Sequence, residues 1–161
     1  MDTYLISRAV AELGECLSVE ENMLATAESC TGGLLSSILT DCPGSSQWYA
    51  GSVVAYAYEV KSKLLGVDPM VLEKHGAVSE PVVKAMAEGV IKAIGANVSV
   101  AISGIAGPGG GTPEKPVGTV WMAWTWPGGT RAKSYSFEGT RQEIKEQSVM
   151  AAINGLLSVV R

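Results

Sequence analysis

Met23-Leu24-Ala25-Thr26-Ala27-Glu28-Ser29-Cys30-Thr31-Gly32-Gly33-Leu34-Leu35-Ser36-Ser37-Ile38-Leu39-Thr40-Asp41-Cys42-Pro43-Gly44 changes its periodicity twice. Met23 to Ala27 is a short, mostly apolar run of the kind that forms a buried strand. Leu34, Leu35, Ile38 and Leu39 then recur at helical spacing, and a proline followed by a glycine stops them. Between the two lies a tight polar turn, Ser29 to Gly33. Strand, turn, helix is the repeating unit of α/β folds, and in such folds ligands collect at the carboxyl ends of the strands.

The alternation continues outward. Upstream, Leu5, Ile6, Ala9, Val10, Leu13 and Leu17 predict an amphipathic helix over residues 3–19. Downstream, residues 52–57 are β-rich, 58–65 are helical up to Gly66, and 68–75 form a short helix closing at Gly76. Ser79-Glu80-Pro81 opens a long helix to Ile94, with Ser79 as N-cap and Pro81 in the first turn. Its buried side is Val82, Val83, Met86, Val90, Ile91 and Ile94. Residues 98–103 read as a third strand, followed by a long loop over 104–116. Two further strands, 117–126 and 131–137, flank Pro127-Gly128-Gly129 as a hairpin. On a regular strand Trp124 and Trp126 share one face and Trp121 takes the other. Residues 140–160 form a closing helix that buries Ile144, Met150, Ile153, Leu156, Leu157 and Val160. The expected result is one domain over residues 1–161, a layered α/β sandwich with a partly parallel sheet and one antiparallel hairpin.

An apolar share of 47% with only 17% charged residues permits a substantial core and excludes a disordered chain. Sixteen acidic against twelve basic residues leave a net charge of −4, with no basic cluster. Nucleic acid and anionic membranes are therefore not expected partners. A small anionic ligand stays compatible, because backbone amides bind it without adding charge. Cys16, Cys30 and Cys42 are odd in number and match no zinc spacing, so reduced thiols are expected. The first 23 residues carry an early acid and no continuous apolar run, unlike a signal peptide, and no stretch has the length of a membrane span. The expected location is cytoplasmic. With one histidine there is no ligand set for a metal.

Three segments carry candidate chemistry. In the first, a helix start aims free N–H groups at the turn, and Gly32 and Gly33 let a ligand approach closely. By position alone, an N-cap is the commoner role for Ser29. The second is Tyr56-Ala57-Tyr58-Glu59-Val60-Lys61, since a serine nucleophile needs a base and a lysine serves when burial lowers its pKa. A solvated lysine is the bland alternative; Lys63 fits it better than Lys61, and sequence alone leaves the choice open. The third is Ser103 to Pro113, a glycine-dense loop that is neither a Walker A loop nor a dinucleotide fingerprint. Such a loop can still offer several N–H groups to a phosphate or an oxyanion. Cys30 is a lesser candidate nucleophile, favoured only by its place at a helix start. His75 reads as a turn or capping residue.

Together, TAESCTGGLLSSILTDCPGSS from Thr26, GAVSEPVV from Gly76, SGIAGPGGGTPEKPVGTVW from Ser103 and FEGTR from Phe137 resemble the CinA C-terminal domain family. The resemblance runs over nearly the whole chain from about residue 22. It implies a three-layer α/β/α sandwich with a mixed, mainly parallel sheet, often dimeric. For active members it implies hydrolysis of nicotinamide mononucleotide to nicotinate mononucleotide and ammonia, in pyridine-nucleotide salvage, with no metal or other cofactor. It places three catalytic residues, the nucleophilic serine at Ser29, its lysine at Lys61 and the tyrosine of a Tyr-Ser-Asn segment at Tyr56, and a phosphate-binding arginine at Arg141. Substrate contacts are expected from Cys30, Thr31, Gly32, Gly33 and Tyr58, and from Gly104, Ile105, Ala106, Gly107 and Arg141. The oxyanion would meet N–H groups of Cys30 to Gly32 or of Gly104 to Ala106. Two positions depart from the pattern. Tyr58 stands where asparagine is usual, and Lys145-Glu146 stands where a more basic pair is common. Because some relatives lack detectable amidase activity, a silent nucleotide-binding module is the alternative expectation, and an amidase for another small amide a third. In longer relatives this domain follows an N-terminal domain; the resemblance here is to the stand-alone form.

Overall fold

A computed structural model describes residues 2–161. In chain order it contains α1 (Thr3–Val19), β1 (Leu24–Glu28), α2 (Leu34–Thr40), a 3-10 turn (Ser45–Gln47), β2 (Tyr49–Val54), α3 (Tyr58–Leu65), α4 (Pro69–His75), α5 (Glu80–Ile94), β3 (Val98–Gly104), β4 (Thr119–Trp126), β5 (Gly129–Ser136) and α6 (Arg141–Val160). The sheet order is β2-β1-β3-β4-β5. β1 is parallel to both β2 and β3, whereas β4 is antiparallel to β3 and to β5. Four of the five strands therefore point the same way and β4 alone is reversed, a mixed and mainly parallel sheet with one hairpin.

Alternation along the strands sorts the side chains into two unequal layers. Leu24, Val98, Val100, Ile102, Val120, Met122 and Trp124 face α1, α2 and α6. Ala25, Ala27, Ala101 and Ala123 face α3, α4 and α5. Bulk on the first face holds the helices off the sheet, each large buried side chain contributing roughly 1.5–3 kcal/mol. Trp124 fills this layer: its indole lies where a Cβ on Gly155 would come within 2.2 Å, and its Nε1–H donates to the Ala152 carbonyl at 3.0 Å. On the alanine face α5 lies close enough for the Ser99 hydroxyl to donate to the Ala87 carbonyl at 2.6 Å. α3 is seated on α5 just as closely, since a Cβ on Gly89 would stand 1.9 Å from the Leu65 carbonyl oxygen. That backbone contact fixes the position of α3, which carries Lys61.

The structure departs from the sequence-based expectation at several places: the hairpin strands are 119–126 and 129–136, and Ile91 is only partly buried. β2 spans 49–54, three residues earlier than the predicted 52–57. It leaves the sheet after Val54 because the carbonyls of Ala55 and Tyr56 turn toward Lys61 instead of a neighbouring strand. Ser29 is not an N-cap: α2 begins at Leu34, and its cap is Gly33 at φ +99°. Ser79 occupies the N-cap position of α5 without making the capping bond, its hydroxyl donating to the Gly76 carbonyl. Leu5, expected on the buried side of α1, is exposed.

Candidate functional site

The parallel strands β1, β2 and β3 end together, at Glu28, Val54 and Gly104. The segments that follow them bring Ser29 and Cys30, Tyr56, and the loop after Gly104 together around a cleft of about 390 Å³. At its floor the Lys61 Nζ lies 3.0 Å from the Ser29 Oγ. Ser29 is held by its own backbone, whose N–H donates to the Ile102 carbonyl at 3.0 Å. Lys61 sits in the first turns of α3, and helical side chains tilt toward the helix N-terminus. Its amine therefore returns over Ala55 and Tyr56 and donates to their carbonyls at 2.7 and 3.0 Å.

Lys61 is only 1% exposed, and no carboxylate pairs with it among the described residues. Burial pulls its pKa down from 10.5 to about 8. An ammonium here has three donors for its three neighbours. A neutral amine has two N–H groups and one lone pair, and two of its neighbours are carbonyls that only accept. In the neutral state the two N–H groups stay on Ala55 and Tyr56, and the Ser29 hydroxyl donates to the lone pair. The site thus contains a hydroxyl aimed at a base. Lys63, the other lysine of α3, is exposed. Cys30 behaves otherwise: burial pushes its thiol up to about 11, so it stays protonated near neutral pH in spite of its place before a helix.

Glu28 explains the shape of the turn. It is fully buried, and its two carboxylate oxygens accept the N–H groups of Leu35 and Ser36, each at 3.0 Å. A carboxylate from the strand thereby caps α2, a job that Gly33 has no side chain to do. The first helical N–H groups are taken by Glu28 rather than offered to a ligand. Thr31, Gly32 and Gly33 do not line the cleft; the two glycines take φ of +61° and +99° to turn the chain from Ser29 into α2. Of the expected oxyanion donors, Gly32 N–H is bound to the Ser29 carbonyl and Ile105 N–H to the Thr119 carbonyl. The Cys30 N–H, next to the nucleophile, meets no backbone carbonyl among the described residues.

Tyr56, Tyr58 and Arg141 stand at the mouth. Tyr56 is 63% exposed; its hydroxyl accepts from Arg141 at 3.2 Å, and its carbonyl accepts from Lys61. Arg141 also donates to the Gly107 carbonyl at 2.7 Å, which is how Gly107 joins the site without lining it. A capping box at Thr140 and Glu143 fixes the helical turn from which Arg141 projects. The Tyr58 ring lies 6.0 Å from the Lys61 Nζ, and its hydroxyl accepts the Ala77 N–H at 3.2 Å, tying α3 to the segment after α4. Gly104, Ile105 and Ala106 line the wall as expected. Lys145 reaches the same region from α6, 4.0 Å from where a Cβ on Gly32 would stand.

Sequence reasoning missed Gly76, Ala77, Val78 and Lys115, all of which line the cleft. The available signal was the lone lysine in a glycine- and proline-rich loop. Lys61, Lys115 and Arg141 are the charged residues of the lining, and no carboxylate is among them. On a protein of net charge −4, this is a locally cationic cleft. Among the described residues no cluster of histidine, cysteine, aspartate and glutamate is placed to hold a metal ion, and no helix is long and apolar enough to cross a membrane.

The chain also resembles known proteins over nearly its whole length. A CinA-like protein from Akkermansia muciniphila is 48% identical over 98% of the chain, which spans 39% of that relative's length. A Mycobacterium tuberculosis CinA-like protein is 54% identical over 81% of the chain, here covering 31% of the relative. The chain thus spans about two fifths or less of these curated relatives. The crystal structure of a competence-damaged protein (CinA) superfamily protein from Escherichia coli superposes with a TM-score of 0.94 at 36% identity, covering 99% of this chain and 92% of that one. The CinA C-terminal domain model matches residues 7–160, and the chain belongs to that family.

Proposed function

We propose that this protein is a serine–lysine amidohydrolase that converts nicotinamide mononucleotide to nicotinate mononucleotide and ammonia. The observation that carries this reading is a buried lysine of lowered pKa, 3.0 Å from a serine hydroxyl at the floor of a cleft. Neutral Lys61 takes the Ser29 proton as Oγ attacks the carboxamide carbon. The carbonyl oxygen becomes an oxyanion, and the Cys30 N–H is the donor beside it. Protonated Lys61 returns the proton to the amide nitrogen, the C–N bond breaks, and ammonia leaves an acyl-enzyme ester on Ser29. Water, deprotonated by Lys61, then attacks the ester. The bond to Oγ breaks, Lys61 returns its proton to Ser29, and the acid leaves as the carboxylate with its proton lost to solvent. Arg141 and the Gly104–Pro113 loop hold the 5′-phosphate, and the absence of carboxylates in the cleft favours an anionic substrate. A small-molecule nucleotide acted on by a dimer, with no nucleic-acid or membrane partner, completes the proposal.

One observation favours a second reading. Tyr58, 52% exposed, spans from Lys61 to Ala77 and occupies part of the cleft mouth. A protein silenced by this ring would bind the nucleotide and not cleave it. The test is ammonia release from the mononucleotide, from its riboside and from nicotinamide, run beside Tyr58→Asn. The amidase reading expects the mononucleotide to be the best substrate of the parent. Cleavage by Tyr58→Asn alone would establish the silent binder, and equal rates on all three amides would reject nucleotide specificity.

A further inference from the structure

Lys115 is the cation of the cleft for which the chemistry above has no use. Arg141 is anchored twice: one terminal nitrogen donates to the Gly107 carbonyl at 2.7 Å and the other to the Tyr56 hydroxyl at 3.2 Å. Each prong of its fork already serves a protein acceptor, and three of its five N–H donors remain for a phosphoryl group. Lys115 is held more lightly. Its Nζ donates at 2.7 Å to the carbonyl of His75, the last residue of α4, and the ammonium has two further donors. No carboxylate pairs with it among the described residues. The end of a helix carries partial negative charge, enough to hold a cation until a full anion arrives.

The segment that carries Lys115 is built to present it. Thr112 N–H donates to the Lys115 carbonyl at 2.9 Å, and Lys115 N–H donates to the Thr112 hydroxyl at 3.0 Å. Pro113 and Pro116 restrict the backbone on either side. At the neck of the loop its two arms touch, since a Cβ on Gly111 would lie 2.8 Å from the Val117 nitrogen. The turn is therefore a defined strap, held to the opposite wall by one lysine bond to a neutral acceptor.

We infer that Lys115 is a specificity-determining residue of this cleft, exchanging the His75 carbonyl for the phosphomonoester of the substrate and drawing the strap over it. The inference borrows the nucleotide from the proposed function, and the contact itself needs only a phosphomonoester. Its test is equilibrium binding of nicotinate mononucleotide and of nicotinate riboside to the parent, Lys115→Met and Lys115→Arg. Loss of a charge-assisted hydrogen bond should weaken mononucleotide binding in Lys115→Met by roughly 10- to 100-fold. Riboside binding should change less than about twofold, and Lys115→Arg should recover most of the loss. Equal weakening for both ligands would mean that Lys115 only braces the strap, and would overturn the inference. So would an unchanged Lys115→Met, or a parent that does not prefer the mononucleotide. Ammonia release by the parent decides the amidase separately. A parent without turnover whose phosphate preference vanishes in Lys115→Met loses the amidase and keeps this contact; an active parent with unchanged preference does the reverse.

Discussion

Raising the pH from 7 to 9 should increase kcat/KM roughly tenfold. The magnitude follows from the burial of Lys61, which brings its pKa down from 10.5 to about 8. Only the neutral amine can accept the Ser29 proton. About a tenth of the protein carries it at pH 7, half near pH 8 and about nine tenths at pH 9. The assay is steady-state ammonia release at constant ionic strength, from pH 6.5 upward to stay above the substrate phosphate's own titration near 6. A flat profile, or activity falling as pH rises through 8, would refute the role of Lys61 as base. The same burial acts on stability. Between about 8 and 10.5 the unfolded chain keeps its Lys61 proton while the folded one has lost it, so the Lys61 contribution to stability rises with pH across that window. Below about 8 both states are protonated and the folded protein bears the full cost of the buried charge, about 3 kcal/mol. Urea unfolding at pH 7.5 and 10 should therefore show a pH increment in the parent that Lys61→Met lacks.

Three further outcomes follow from packing and capping. Gly89→Ala places a Cβ against the Leu65 carbonyl and should push α3 off α5, lowering stability by about 1–3 kcal/mol in urea melts and kcat with it; unchanged values would show that the contact gives way freely. Glu28→Ala leaves the Leu35 and Ser36 N–H groups without their carboxylate and should cost about 2–4 kcal/mol of unfolding free energy, whereas a loss below about 0.5 would rule out the strand-borne cap. At pH 8, iodoacetamide should label the partly exposed Cys16 and Cys42 before buried Cys30, read by peptide mass, and Cys30 reacting first would contradict its raised pKa.

The layered fold was legible because its signals are local and repeated. Helical spacing in α5 and α6 and the Pro-Gly-Gly turn of the hairpin each specify an element without help from the rest. The tryptophan alternation on β4 also held: Trp124 and Trp126 pack with one layer and Trp121 with the other. What failed was set by side-chain contacts that cross from one element to the next. Nothing local to residues 52–57 reveals that the carbonyls of Ala55 and Tyr56 leave the sheet for a lysine five or six residues on. Ser29 resembled a cap because the capping group, Glu28, reaches α2 from the adjacent strand end. The Ser29 and Lys61 pair was legible as a resemblance, whereas the choice of Lys61 over Lys63 required knowing which face of α3 meets the cleft. Lys115 stayed hidden because its partner, His75, lies 40 positions away.

The decisive measurement is ammonia release from nicotinamide mononucleotide by the purified protein, with Ser29→Ala assayed beside it at pH 8.5. Ser29 acting as nucleophile predicts turnover in the parent and a fall of at least about 10³-fold in the variant, with nucleotide binding retained. Turnover that survives Ser29→Ala, or a parent that releases no ammonia, would contradict the serine–lysine amidase.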